Sequence, residues 1–442
     1  MNVIFFAIVL VAFSVTAVRQ VMWTPGGPDA VAPMQALATA MIESAGGAVS
    51  LAIGLVGVMA LFLGLMKVAE AGGLLAIIAR VVRPLMVRLF PGVPADHPAM
   101  GAMIMNMSAN ALGLGNAATP FGIRAMQELD RLNPHKGTAT DSMVLFLAIN
   151  TSSVTLLPTG IIALRAAAGS ADPAGILPTT LFATLCSTTV AILAAKFYGR
   201  FSRLPPATPD GVGVGDEDQD GESGGPETGA EPEDVLPAES GAAYPAWVSW
   251  LVLGCILALI PAAILYGTAI SPWIIPGLML ALLGFGFVRR VPVYEVFVEG
   301  AKDGFQVAFR IIPYLVAILV AVAMFRNSGA MDLIIRPLGA LTGLVGLPGE
   351  ALPMALLRPL SGSGAYGIVA SVLNDPAIGP DSYVGYLVST LQGSTETTFY
   401  VLAVYFGAVG IRRVRHGMAA ALTADLAGIV GAVIGVNLFI AS

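Results

Sequence analysis

Apolar runs long enough to cross a bilayer make up most of this sequence. A membrane-spanning helix needs about 20 consecutive apolar residues, with a range of about 17 to 25, to cross roughly 30 Å of hydrocarbon. Nine windows reach that range: about 1–18, 49–67, 142–164, 177–197, 247–267, 273–289, 307–325, 383–406 and 419–440. Only 11% of the 442 residues are charged, less than half of the roughly 25% in soluble domains. The sequence therefore predicts an all-α polytopic membrane protein that crosses the lipid bilayer nine times.

The run 384–405 is interrupted at its middle by the polar sequence QGSTETT, residues 392–398. An unwound turn frees backbone carbonyls and amides, which cannot face lipid without partners. Such a break is tolerated where it is buried in protein or lines a wet cavity. We therefore interpret 392–398 as part of a binding site for a small-molecule solute.

Two further apolar stretches, 98–131 and 350–375, are each split by a glycine-rich segment, at 113–118 and 361–367. Both predict re-entrant helical hairpins with the glycines at the tips. Each hairpin precedes a run that begins in the same way, because Asp141 and Ser142 match Asp381 and Ser382 at an offset of 240. The chain is thus predicted to contain two repeats, each with a hairpin and a broken transmembrane helix, and internal duplication of this kind is common in transporters.

A change of composition separates the repeats. Residues 203–245 are rich in Gly, Pro, Asp, Glu and Ser and have few large apolar residues, which predicts a disordered acidic linker. The first membrane repeat is then 1–202 and the second 246–442. Because acids are concentrated between Asp210 and Glu239, which hold 11 of the 28 in the chain, the net charge of −6 does not indicate a surface partner, and nucleic acid is not expected as one.

Lysine and arginine placement predicts that the repeats run in opposite directions, because short loops rich in these residues stay cytoplasmic. Three basic residues precede Asp141 and none lies in the loop before Asp381, whereas three follow the second broken helix and none the first. Lys196 and Arg200 place the linker in the cytoplasm, so we expect a multi-pass protein of the inner (cytoplasmic) membrane. The oligomeric state is left open, a homo-oligomer included.

Polar side chains cluster at the predicted tips and breaks in both repeats. In transporters with inverted repeats the substrate lies near the midplane, between unwound helices and half-helix ends. The substrate-binding candidates are Asn106, Ser108, Asn110, Asn116, Asn150, Thr151, Ser152 and Ser153 in the first repeat, and Arg358, Ser361, Ser363, Gln392, Ser394 and Thr395 in the second. The alternative for each single residue is a hydrogen bond to a neighbouring helix.

The ion-coupling candidates are Glu396, Thr397, Thr398 and Asp425. An ionised Glu396 at mid-bilayer depth costs about 2.5 to 3.5 kcal/mol, which a partner must offset. Arg358 is the expected partner, either in an ion pair with Glu396 or as the group that meets an anionic substrate while Glu396 binds a cation or proton. A purely structural ion pair is the alternative. Asp425, in the last window, ranks below Glu396.

Other chemistry has little support. The GxGxxG spacing at Gly362, Gly364 and Gly367 does not follow a strand, as a dinucleotide site requires. The three histidines, His97, His135 and His416, all lie in predicted loops, so a membrane-embedded metal cluster or a Ser-His pair is not expected. The sequence therefore predicts no enzyme and no cofactor, apart from a coupling Na⁺ or H⁺.

Three runs of this sequence resemble known families. The run MNMSANALGLGNAATPFGIRAMQELDRLNP (105–134) resembles the spore maturation protein A family, and RPLSGSGAYG (358–367) and LQGSTETTFYVLAVYFGAVGIRR (391–413) resemble spore maturation protein B. Both families belong to the nucleoside-recognition, or Gate, domain group, which is similar to the membrane cores of concentrative nucleoside transporters. The resemblance implies a fusion of the two, with inverted repeats and elevator-like movement of substrate by the hairpins and broken helices.

Together these features predict a secondary active transporter of a small polar or anionic solute, such as a nucleoside, an amino acid or a carboxylate. Proton or sodium coupling is expected. Two alternatives stay open at this point, which are a non-transporting membrane scaffold and a passive channel. Flux measurements separate the three.

Overall fold

A computed structural model describes residues 2–25, 30–113, 115–152, 154–202 and 244–440. The predicted linker lies outside these ranges, except for its last two residues. Sixteen α-helices form in the described residues. They are α1 Asn2–Val21, α2 Pro33–Ala71, α3 Leu74–Leu89, α4 Pro98–Ala111, α5 Gly115–Arg131, α6 Asp141–Thr151, α7 Thr159–Ala167, α8 Ile176–Gly199, α9 Ala246–Val288, α10 Val293–Asn327, α11 Ala330–Thr342, α12 Leu352–Leu357, α13 Gly362–Leu373, α14 Tyr383–Ser394, α15 Thr398–Gly407 and α16 Gly417–Ile440.

The prediction of an all-α membrane protein is confirmed. Among the described residues, three helical segments are individually long and apolar enough to cross a bilayer, which are Pro33–Ala71, Pro173–Gly199 and Gly417–Phe439. A bent pair, Pro337–Val345 and Gly349–Leu357, also passes when its two parts are taken together across a bend of 101°. The window 142–164 contains a shorter apolar helix, Asp141–Thr151, because the helix ends at the break that follows it.

The two halves have the same order of elements. Each contains two long helices, a short amphipathic helix, a helical hairpin, a broken helix and a closing helix, as α1–α8 and as α9–α16. In each half a glycine with positive φ precedes the short amphipathic helix, Gly73 at 83° before α3 and Gly329 at 79° before α11. Glycine adopts this backbone conformation without the steric cost that a Cβ atom brings.

The longest interhelical contact is between α2 and α10. Glycine makes the close approach possible, because a Cβ atom on Gly300 would lie 2.5 Å from Cβ of Lys67 and one on Gly304 would lie 2.6 Å from Cα of Ala60. Small residues at such a seam let two helix backbones approach closely, which favours packing in lipid.

The two broken helices, α6–α7 and α14–α15, lie side by side and antiparallel. The first part of one packs with the second part of the other, since α6 contacts α15 and α7 contacts α14. Two separate apolar cores follow from this arrangement. One joins the first hairpin to α6 and α15, and the other joins the second hairpin to α14 and the buried Ala163 and Leu164 of α7. The inversion of the two complete halves stays a prediction, as do their limits at 202 and 246.

One pair of predicted crossings is wrong. Windows 247–267 and 273–289 form a single continuous helix, α9, of 43 residues. The segment between the windows contains Pro272, which predicts a break because proline removes a backbone hydrogen bond. Transmembrane helices tolerate such a residue, and here the helix continues through it.

Candidate functional site

Each hairpin tip lies against the break of the broken helix in its own half. In the first half Leu156 N donates to the carbonyl oxygen of Ala111 at 2.9 Å, and Gly113, with φ of 74°, packs against the Leu157 carbonyl. In the second half Phe399 N donates to Pro359 O at 3.1 Å. Backbone groups released by the breaks are thus partly satisfied by the tips.

The tips are shorter than predicted. The first lies between the end of α4 at Ala111 and the start of α5 at Gly115, instead of at 113–118, and the second comprises 358–361 instead of 361–367. Gly362, Gly364 and Gly367 therefore belong to the helical arm α13, where they permit close packing. A Cβ atom on Gly362 would lie 2.7 Å from Thr397 Oγ1, and one on Gly367 would lie 2.6 Å from Cγ2 of Ile318.

The two breaks meet through a backbone hydrogen bond. Glu396 N, in the second break, donates to the carbonyl oxygen of Thr151, the last residue of α6, at 2.8 Å. The second break is only three residues long, 395–397, because α14 continues to Ser394. The predicted interruption at 392–398 is thus in the right place but narrower. This junction joins residues 245 positions apart in the sequence, 396 minus 151.

Amide groups of the first half form a connected network beside the junction. Asn110 Nδ2 donates to Asn150 Oδ1 at 3.0 Å, and Tyr405 OH lies 3.4 Å from the same oxygen. Asn106 Nδ2 donates to Tyr405 OH at 3.2 Å and to Ala118 O at 2.7 Å. Asn106 Oδ1 is buried without a partner among the described residues, so the network can accept one more donor.

Tyr405 was missed by the sequence analysis. It lies on α15, in the other half of the chain from Asn106 and Asn150, and its ring stacks on Phe146 with centroids 6.0 Å apart. The available signal was its hydroxyl, because a buried tyrosine hydroxyl in an apolar run needs a hydrogen-bond partner. That signal indicates a partner without indicating which one.

Arg358 is buried and serves the backbone of the second break. Its Nη1 donates to Thr397 Oγ1 at 3.1 Å, and its Nη2 donates to the carbonyl oxygen of Thr395. Nη2 also lies 3.8 Å from Glu396 Oε2, which is an ion pair but is too long for a hydrogen bond. The side chain of Arg358 is 7% exposed, whereas that of Glu396 is 51% exposed. Glu396, and not Arg358, is the charge that faces accessible space.

Asp425 approaches the same break from α16. Thr398 Oγ1 donates to Asp425 Oδ2 at 2.7 Å, and the residue is 4% exposed. Gly428, three residues further along α16, packs against Thr395, where a Cβ atom would lie 2.6 Å from Cγ2. The structure therefore brings Asp425 next to the predicted ion-coupling residues Thr397 and Thr398.

The remaining candidates fall into three groups. Four hydroxyls bond to carbonyls of their own helices and not to a neighbouring helix, as the alternative interpretation had it. They are Ser108 to Ile104, Thr151 and Ser152 to Ala148, and Ser394 to Leu391. Ser361 caps α13 by accepting from Gly364 N at 3.0 Å, Ser363 is exposed, and Gln392 Oε1 is buried without a partner among the described residues. Ser153 and the side chain of Asn116 lie outside the described part of the chain.

The ends of the broken helices are held by an arginine clasp at each end of the pair. In the first clasp Arg165, which is fully buried near the end of α7, donates to Pro380 O at 2.6 Å and to Asp381 Oδ1 at 3.1 Å. Its guanidinium also lies 4.0 Å from the ring centroid of Tyr386 on α14. The clasp thus fixes the end of the first broken helix to the start of the second.

The second clasp makes the reciprocal connection. Arg415, just after α15, donates to Asp141 Oδ1 at 2.7 Å and to Ala139 O at 3.1 Å. A backbone bridge between Thr138 and Arg413 strengthens this end. The matched acids Asp141 and Asp381 of the sequence analysis are therefore the partners of two equivalent clasps, and neither was assigned a role by the sequence.

Two cavities lie away from this junction. One of about 750 Å³ runs along the second hairpin, and one of about 710 Å³ lies between α2, α10 and α13. Both are lined by Arg326, whose Nη2 pairs with Asp375 Oδ2 at 2.5 Å. Neither is lined by a residue that the sequence analysis selected. Within the described residues no group of three His, Cys, Asp or Glu side chains is arranged to hold a metal ion.

Comparisons with known proteins identify relatives of both halves of the architecture. The family model described as nucleoside recognition, named Gate, matches residues 52–168 and 308–412. Spore maturation protein B of Bacillus subtilis (strain 168) is 47% identical over 174 residues, which are 39% of this chain and 94% of that protein. Spore maturation protein A of the same organism is 45% identical over 165 residues, 37% of this chain and 84% of that protein. The resemblance stated from the sequence is confirmed.

Two further similarities are more distant in sequence. Inner membrane protein YjiG of Escherichia coli (strain K12) is 31% identical over 90 residues, 20% of this chain and 59% of that protein. The solved structure of CNTnw in an inward-facing, substrate-bound state aligns with 99% of this chain and 91% of its own, at 15% identity and a TM-score of 0.46.

Proposed function

The chain belongs to the nucleoside-recognition (Gate) family, and on that premise we propose that it is a secondary active transporter of a small polar solute. Its solute site lies where the two breaks meet, and the coupling ion is a proton or sodium. The observation that carries the proposal is the junction itself, the hydrogen bond from Glu396 N to Thr151 O. Transporters with interrupted helices bind their substrates at such a place.

The charges at the junction favour one class of solute. The half-exposed carboxylate of Glu396 and the amide network around Asn150 offer acceptors to a solute that carries hydroxyl or amino donors. Arg358 is 7% exposed and its two terminal nitrogens already donate to Thr397 and to the Thr395 carbonyl, so we do not expect it to bind a carboxylate solute in this conformation. Nucleoside-like and amino-acid-like solutes therefore fit better than dicarboxylates, and the family description makes nucleosides the first to test.

We place the protein in the inner membrane, with the linker 203–245 in the cytoplasm and the repeats 1–202 and 246–442 inverted. The antiparallel broken helices support inverted repeats, and the basic residues next to the linker support its location. Elevator-type movement would carry the hairpins and broken helices together, because the tips are bonded to the breaks and the clasps join the broken helices. The proposal assigns no enzymatic step to the chain.

The test is solute uptake by the purified full chain in proteoliposomes. We expect saturable uptake and counter-flow for at least one member of a panel of nucleosides, amino acids and dicarboxylates, driven by a gradient of protons or sodium. Uptake without saturation or counter-flow would indicate a channel. No flux for any solute, with intact folding, would indicate a scaffold.

Glu396→Gln gives a sharper test of the site. Because Glu396 is half exposed, its replacement should change the free energy of unfolding by less than about 0.5 kcal/mol while raising KM for the solute at least about tenfold, which corresponds to about 1.4 kcal/mol of binding free energy. The matched control is Glu350→Gln, at an exposed carboxylate outside the junction. Equal KM values for the two variants would remove Glu396 from the solute site.

A further inference from the structure

Asp425 is a buried acid that the proposed solute site does not use. Only 4% of the residue is exposed, and Oδ2 accepts a hydrogen bond from Thr398 Oγ1 at 2.7 Å. Oδ1 is buried and has no partner among the described residues. An ionised carboxylate is rarely left half satisfied in such a place, because burying an incompletely paired charge is costly.

The nearby charges do not balance if every acid is ionised. Arg358 is close enough for its charge to act on both Asp425 and Glu396, but it is a single cation, and its guanidinium contacts Glu396 at 3.8 Å. Two carboxylates and one guanidinium give the cluster one excess negative charge. A buried excess charge is relieved by taking up a proton or a metal cation.

The burial of the two acids decides which one takes up the cation. Glu396 is 51% exposed, so water can solvate its carboxylate, and its backbone N–H is already bonded to Thr151 O. Asp425 has neither solvent nor a cation in contact. The unpaired Oδ1 is the position where a proton removes the excess charge without moving any other group.

We propose that Asp425 is the proton-binding site of the transporter, with the proton on Oδ1 and with Thr398 donating to the carbonyl oxygen Oδ2. The proposal rests on the proposed function and specifies its coupling ion. The step is balanced, since a proton from water forms one O–H bond on the carboxylate and returns to water when that bond breaks. No other bond changes.

A proton fits this position better than sodium. A metal cation requires several converging oxygen ligands, whereas the hydrogen bond found at Asp425 within the described residues is the one from Thr398 Oγ1. Ser187, a hydroxyl of the packed helix α8, donates to the carbonyl oxygen of Ala424 at 2.8 Å. That carbonyl and that hydroxyl are therefore committed to each other.

The titratable groups of the elements packed against α16 lie elsewhere along that helix. Arg358 is the charged group that acts on Asp425, with Glu396 beyond it. The others meet different positions: Cys186 faces Gly431, Tyr198 OH bonds Thr423, Tyr383 OH bonds Asn437, and Asp141 bonds Arg415. The one acid on α6, α8 and α14 is thus Asp141, which bonds Arg415 and not Asp425.

The position of Thr398 explains how solute and proton would be coupled. Thr398 is the first residue of α15 and directly follows the break that contains Glu396. Movement of the break when a solute binds Glu396 would shift Thr398 relative to Asp425 and change the hydrogen bond to Oδ2. Proton affinity at Asp425 and solute affinity at the junction would then change together, as reciprocal linkage requires.

Infrared difference spectroscopy of the reconstituted full chain tests the proton site directly. A protonated carboxyl group has a C=O stretching band that a carboxylate lacks. We expect the wild-type protein to show such a band, to lose it as pH is raised, and to lose it in Asp425→Asn. The control Glu350→Gln should retain the band at the same pH. Glu396→Gln should lose the band at a lower pH than the wild type, because removing one carboxylate removes the excess negative charge beside Arg358.

A second variant keeps the test decisive if Asp425→Asn fails to fold. Thr398→Val leaves Asp425 in place but removes the hydrogen bond to Oδ2, so the C=O band should shift to higher frequency. An unshifted band in Thr398→Val, a band that persists in Asp425→Asn, or no titrating band in the wild type would overturn the proposal. Loss of the wild-type band on replacing choline chloride by sodium chloride at constant pH would indicate a sodium site instead and would also overturn it.

The spectra do not depend on transport, so the two proposals can fail separately. A titrating Asp425 band in a protein without flux would contradict the transporter and leave the proton site. Flux that depends on sodium, in a protein without the band, would contradict the proton site and leave the transporter.

Discussion

The two helix breaks differ in length and in charge. The first, between Thr151 and Thr159, separates α6 from α7 by seven residues, and its neighbourhood is a neutral network of Asn106, Asn110 and Asn150. The second is three residues long and is surrounded by Arg358, Glu396 and Asp425. The longer first break leaves more backbone groups without helical partners. In the short second break, Arg358 donates to Thr395 O and to Thr397 Oγ1.

This difference indicates that the two halves, which share one order of elements, contribute different chemical groups to the junction. The first half contributes neutral hydrogen-bonding groups, and the second half contributes the ionisable groups. Proton coupling would then belong to the second half alone, while both halves contact the solute. Duplicated halves can specialise in this way because the fold needs the breaks but does not need the same side chains in both.

The arginine clasps should give the largest loss of stability and should differ from each other. Arg165→Gln leaves the carbonyl oxygen of Pro380 and the Asp381 carboxylate without their donor and loses the contact with Tyr386. We expect a loss of about 3 kcal/mol, at the lower end for breaking a buried pair because Asp381 is 40% exposed. Arg415→Gln should cost less, about 1 kcal/mol, because Asp141 is 65% exposed.

Thermal unfolding of the reconstituted variants measures this difference. The double variant should lose the sum of the two single losses, since the clasps lie at opposite ends of the broken helices and share no partner. Equal losses, or losses that do not add, would contradict two independent clasps. Asp381→Asn in the Arg165→Gln background serves as the control, and it should add little.

Arg358→Met tests whether the second break depends on its charged neighbour. The variant removes the donors to Thr395 O and Thr397 Oγ1 and the contact with Glu396, so we expect a loss of about 2 kcal/mol in the free energy of unfolding. Arg358→Lys should recover part of the loss, because an ammonium group supplies charge but not the planar pair of donors. Full recovery with lysine would mean that charge alone stabilises the break.

Tyr405→Phe should have a smaller effect on stability than Arg358→Met and reports on the first half. It keeps the ring that stacks on Phe146 and removes the hydroxyl that joins Asn106 to Asn150, at a cost of about 1 kcal/mol. The matched control is Tyr198→Phe, whose hydroxyl bonds Thr423 at 3.2 Å outside the junction. A larger effect on solute KM than the control would place the amide network in the solute site, and equal effects would make it structural.

Which acid faces accessible space could not be predicted from the sequence. Glu396 and Arg358 were correctly paired by the need to offset a charge in the membrane, but Asp425 ranked below Glu396 because its equivalent in the first repeat is Leu185. The structure shows Asp425 to be the more buried of the two acids, and the proposed proton site rests on that difference. The fraction of each side chain that is exposed depends on the packing of α14, α15 and α16, which local sequence does not encode.

The sequence by itself determined the all-α membrane class, the two hairpins, the two broken helices and the repeat that relates them. These features follow from local rules, because apolar length and the need to satisfy backbone groups in lipid act within about 20 residues. The tertiary structure decided the clasps of Arg165 and Arg415, the role of Tyr405 and the contact between the breaks. Each of these joins residues from different halves of the chain, more than 200 positions apart, and such contacts exist only once the helices pack.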